Sequence, residues 1–178
     1  QTDSIVDLEL DLRELDTRDL GWISDQLPPL TGSTQLEGRI RRGRSEWTAD
    51  GANLLWDGAD VRAGGTVSLD GGPMRLEGVE ILTAGLPVES LERWLPDALA
   101  SEGLVGGRVV ASGALSRLDV DAEVTWTTPL GEPVALRGDG AVTGLDGRGE
   151  VGFDGFSAVL GPFDWSTLRR SAGLPIPV

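Results

Sequence analysis

Leu118-Asp119-Val120-Asp121-Ala122-Glu123-Val124-Thr125-Trp126 alternates apolar and polar side chains without a fault. In an extended chain, successive side chains leave on opposite sides. Leu118, Val120, Ala122, Val124 and Trp126 therefore share one dry face, and Asp119, Asp121, Glu123 and Thr125 share one wet face. A helix would spread the same residues around its circumference, so the stretch reads as a strand. A strand of this kind belongs to a sheet with one side in water and one side against something apolar.

The same parity recurs in both directions. Val6, Leu8, Leu10 and Leu12 oppose Asp7, Glu9, Asp11 and Arg13 near the start. From Leu36 to Leu82 one short strand follows another, with Asp57-Gly58, Gly64-Gly65 and Asp70-Gly71 as turn or bulge signals. Val67 and Leu69 fall on one parity there, and a slip of parity near Gly78 predicts a bulge. Further strands are expected around Val109–Ala111, Val134–Leu136, Val142 and Val151–Phe153, punctuated by Asp139-Gly140, Asp146-Gly147 and Asp154-Gly155. Helical spacing is rarer. Leu20, Ile23, Leu27 and Leu30 fit a short helix ended by Pro28-Pro29, and Asp16 and Asp19 are candidate start signals. Pro87 is expected to open a second helix carrying Val88, Leu91, Trp94 and Leu95, and Pro162 a third with Trp165 and Leu168.

These elements come in a repeated order. Leu27-Pro28 leads to Gly38-Arg39-Ile40, and Leu95-Pro96 leads to Gly107-Arg108-Val109, about 69 residues on. Gly65-Thr66-Val67 matches Gly140-Ala141-Val142, so the likeness runs through the strands as well. Approximate copies span 6–75 and 76–152, and a truncated third spans 153–178. The expected fold class is mainly β: an elongated, curled, largely antiparallel sheet in one domain over 1–178, built from repeats that each bring one short amphipathic helix. Opening on Gln1 and stopping within a third copy, the chain is expected to be a portion of a longer protein.

Composition narrows the function. The 178 residues carry 15 basic and 29 acidic side chains, for a net charge of −14. That balance repels nucleic acid. With no His and no Cys, Ser-His-Asp and Cys-His chemistry, disulfides and the usual zinc sites are excluded. No apolar run approaches the roughly 18 residues of a membrane helix. Gly147-Arg148-Gly149-Glu150-Val151-Gly152 spells a dinucleotide fingerprint, but it leaves an Asp-Gly turn for a strand where that site requires a helix. The Asp-Gly pairs lack the spacing of calcium loops and read as turns. No carboxylate pair stands in a distinctive constellation, so neither catalytic residues nor a cofactor are expected. Arg39, Arg41, Arg42 and Arg44 form a basic cluster in an acidic chain. It reads either as contact with anionic headgroups or as an edge strand protected by charge.

The residues Leu8-Glu9-Leu10-Asp11-Leu12, Leu27-Pro28-Pro29-Leu30, Leu36-Glu37-Gly38-Arg39-Ile40 and Val105-Gly106-Gly107-Arg108-Val109-Val110-Ala111-Ser112-Gly113-Ala114-Leu115 carry a resemblance. They resemble the AsmA/TamB superfamily, the repeating β-groove proteins of the Gram-negative envelope. The resemblance implies a periplasmic, membrane-associated segment whose apolar trough shelters or conducts phospholipid acyl chains, or assists outer-membrane assembly. On that expectation Leu118, Val120, Ala122, Val124, Trp126, Val67 and Leu69 face the lipid, with the four arginines at headgroups. The alternative is an accessory subunit docked on a membrane protein complex through the same apolar face.

Overall fold

Alternation this regular leaves one face of every strand needing shelter, and only lateral pairing satisfies the backbone between them. The computed structural model describes residues 5–20, 29–41, 44–70, 74–91, 102–146 and 150–161. Over these the chain forms nine strands: β1 (Ile5–Asp16), β2 (Leu30–Arg41), β3 (Arg44–Trp56), β4 (Ala59–Leu69), β5 (Arg75–Pro87), β6 (Leu104–Ala114), β7 (Arg117–Thr127), β8 (Pro133–Thr143) and β9 (Gly152–Leu160). They pair in strict chain order from β1 to β9, every pair antiparallel, in one sheet. The mainly β, antiparallel expectation is met.

Three finer expectations are corrected. The sheet is flat to gently curved, and its edge strands β1 and β9 do not meet, so the curl is absent. Six of the eight ladders carry a register shift, each bending its strand locally, but the β6–β7 and β7–β8 ladders run without one, so the bends do not accumulate across the whole sheet. Nor is the sheet elongated. Eight inter-strand spacings of about 4.8 Å make it roughly 38 Å broad, close to the length of its own strands.

The repeat helices are not seen among the described residues, where helical structure is confined to two 3-10 turns, Thr17–Leu20 and Val88–Leu91. Pro87 is the last residue of β5, opposite Leu104, and does not open a helix. A bulge between Thr83 and Leu86 keeps the strand going into the Leu-Pro step. Most of the first expected helix, the second half of the second and all of the third lie outside the described residues, with Trp22, Trp94 and Trp165. The chain re-enters the sheet through tied ends. Leu30 N–H donates to Thr17 Oγ1 at 2.7 Å, and Val88 N–H donates to the Gly103 carbonyl at 3.0 Å.

Glycines shape the ladder at a few points. Asp57-Gly58 is the tight turn between β3 and β4, both residues at positive φ (48° and 82°). Gly51, Gly78 and Gly155 occupy bulges at φ 82°, 56° and 60°. The Gly78 bulge is the one the parity slip announced. Asp139-Gly140, by contrast, is no turn: both residues lie inside β8, opposite Asp121 and Val120. Asp154-Gly155 likewise lies within β9.

Candidate functional site

Opposed residues of an antiparallel pair point to the same face, so the registers define the faces of the whole sheet. One face collects Val6, Leu8 and Leu10 of β1, Leu36 and Ile40 of β2, and Trp47, Ala52 and Leu54 of β3. It continues through Val61, Val67 and Leu69 of β4, Leu76, Val79 and Ile81 of β5, and Val105, Val109 and Ala111 of β6. Leu118, Val120, Ala122, Val124 and Trp126 of β7 follow, then Val134, Leu136 and Val142 of β8, and Phe153, Ala158 and Leu160 of β9. Every residue expected to face lipid therefore stands on this one face.

The depth of these residues differs. Leu118 and Ala122 are buried, at 5% and 9% exposure, while Val120, Val124, Trp126, Val67 and Leu69 are half-buried. Leu118 packs with Ala111 and Leu115, flanked by Met74, Leu76, Val120 and Leu145. A second cluster joins Ala52, Leu54 and Val61 to Leu15, Leu30, Trp56, Ala63 and Ile81. The exposed large residues of the apolar face lie on the edge strands: Val6, Leu8 and Leu10 on β1, and Phe153, Phe156 and Leu160 on β9. The middle of the face is a packed floor and its margins are open. Trp126 is anchored there by its indole N–H, which donates to the Glu102 carbonyl at 3.1 Å.

Two features of this face were not legible as sites in the sequence. The Trp47 ring lies over Gly38, its direct cross-strand partner, and a Cβ on Gly38 would come within 2.3 Å of that ring. Phe156 likewise lies against Gly138 and Gly140, and meets Phe153 edge-on at 5.8 Å between ring centres. The available signal was a glycine on the apolar parity opposite a strand carrying an aromatic, and reading it requires the register.

The opposite face is charged. Arg39 donates to Asp7 at 2.9 Å, Arg108 is paired with Glu80, Arg117 with Asp154, and Arg137 with Glu123 at 3.3 Å. The hydrogen bonds to Asp7, Glu80 and Asp154 raise the pKa of Arg39, Arg108 and Arg117 further above the ordinary arginine value. The Thr48 and Thr66 hydroxyls pair at 3.1 Å across β3 and β4. Near the first crossover, hydrogen bonds from the Arg18 side chain and backbone hold the Asp16 carboxyl below its ordinary pKa.

The arginine cluster is partly assembled. Arg39 and Arg41 both stand on the charged face, and Arg41 is opposite Arg44 at the β2–β3 hairpin. Arg42 lies outside the described residues. Arg39, Arg41 and Arg44 share a shallow concavity with Arg75, which sequence reasoning did not single out, and with Glu46, Asp70 and Glu77. The basic side chains are thus interleaved with acids. Among the described residues no group of acidic side chains is arranged to hold a metal ion, and no helix is long and apolar enough to cross a membrane. No family model, no curated protein and no solved structure matches the chain.

Proposed function

We propose that the sheet shelters phospholipid acyl chains on its apolar face, as an AsmA/TamB-like segment of the cell envelope working in the periplasm. The observation that carries this reading is the sidedness of the sheet. The strands put their charges on one face and most of their apolar side chains on the other, with Leu55, Leu82, Leu104 and Val159 as exposed exceptions on the charged side, and the described residues add no second layer over the apolar side. Exposed apolar side chains gathered along the margins of one face, at Val6, Leu8 and Leu10 and at Phe153, Phe156 and Leu160, support a binding surface there. Burial alone supplies the attraction: each methylene moved from water onto such a face gains about 0.8 kcal/mol. Half-buried Val120 and Val124 and the edge residues would touch the chains, with Leu118 and Ala122 as the floor beneath. The proposed role is non-catalytic.

The test is native mass spectrometry and lipid extraction of the purified chain, with a photo-crosslinking residue at Val120 or, on the other face, at Asp121. Phospholipid is expected to co-purify, and to be captured from position 120 but not from 121. A chain free of lipid and a silent position 120 would sink the proposal. Capture of one stoichiometric protein from position 120 would replace lipid carriage by docking on a membrane protein complex.

A further inference from the structure

We propose that Met74 is an oxidation site, and that peroxide acting there loosens one corner of the sheet. The chain has one methionine and no cysteine, so Met74 holds its only sulfur. The residue stands immediately before β5, where its carbonyl accepts the Leu115 N–H at 3.2 Å. Leu115 lies in the turn between β6 and β7, so this bond ties that turn to the start of β5. The Met74 side chain is partly buried against Ala111, Leu115 and Leu118, with Leu76, Val120 and Leu145 in the same group. Partial burial leaves it within reach of water and of a solute as small as peroxide, while the cluster it touches is wholly aliphatic.

The step is a two-electron oxygen transfer. The thioether sulfur attacks one oxygen of hydrogen peroxide, the O–O bond breaks and an S–O bond forms. The attacked oxygen passes its proton to the other, which leaves as water; sulfur is oxidised and peroxide reduced. The product is a polar, chiral sulfoxide where a flexible apolar group stood. None of the six side chains around it can donate a hydrogen bond. A sulfoxide kept in place is therefore desolvated without a side-chain partner. One that swings out into water leaves a gap beside Leu118, which is only 5% exposed. Both outcomes weaken the same cluster. Leu118 and Val120 belong to that cluster and also to the apolar face, so the loosening is expected to reach the floor of the face. The inference does not depend on what occupies the face.

Dilute hydrogen peroxide, added to the folded 178-residue chain and then quenched, should add one oxygen, located to Met74 by peptide mass mapping. The oxidised chain is expected to unfold at a urea concentration lower by roughly 0.5 M. Methionine sulfoxide reductases acting on both epimers should restore the original midpoint. Met74→Leu fills nearly the same volume without a sulfur, so peroxide should leave its midpoint where it was. A sulfur that takes up oxygen only after unfolding, oxygen at Met74 with an unmoved midpoint, or an equal fall in Met74→Leu would each overturn the proposal.

Discussion

At the scale of single residues, the glycines divide into two kinds that composition cannot separate. Gly38 lies under the Trp47 ring, where a Cβ would have to displace aromatic carbons. Gly78 has open space at its Cβ position but a φ of 56° that other residues adopt reluctantly. Gly38→Val is therefore expected to cost about 1–3 kcal/mol through overpacking, and Gly78→Ala only about 1 kcal/mol through backbone strain. Urea unfolding of the two variants checks this, and equal midpoints would contradict the assignment of Gly38 to ring packing. The distinction explains the misreading at Asp139-Gly140. An Asp-Gly pair is a turn signal locally, yet Gly140 is required by Phe156 on the next strand. That demand is invisible until the strands are in register.

At the scale of elements, alternation made the strands legible, because a sheet with one wet side forces it on every strand. Interruptions were less legible. The parity slip at Gly78 is written in the sequence, since Leu76 and Val79 fall on the same face only if one residue is extra. The Gly51 bulge lies between Ala49 and Ala52, residues too small to mark a parity. Pro87 misled for a related reason: a proline is equally at home opening a helix or ending a strand, and the preceding bulge decides which. The bulges also predict dynamics. β7 has a continuous ladder on both sides, whereas β1 is, among the described residues, paired on one side and shifted in register between Leu12 and Leu15. Hydrogen exchange should find the amides of β7 protected longer than those of β1. Equal protection would mean that the sheet opens only as a unit.

At the scale of the whole molecule, the location of the candidate face was legible and its relief was not. Parity alone places Val67, Leu69 and Leu118 through Trp126 on one side. It does not tell that Leu118 and Ala122 are packed beneath their neighbours while Val6 and Phe153 stand open, because that depends on distance from the sheet edge. Strict neighbour-to-neighbour pairing also predicts how the molecule tolerates shortening. With β1 and β2 removed at residue 43, the β3–β9 sheet should persist, with a lower urea midpoint and a shallower unfolding slope. Loss of all β structure by circular dichroism would show instead that the packing of Leu15 and Leu30 against Leu54 and Val61 is indispensable. The same strand order has a mechanical meaning. β1 and β9 form the opposite edges of the described sheet, so tension between them pulls largely along the inter-strand bonds and loads the outermost ones first. Under such a load the bonds would yield one after another, and the protein would pay out its length at low force, strand by strand from the margins inward.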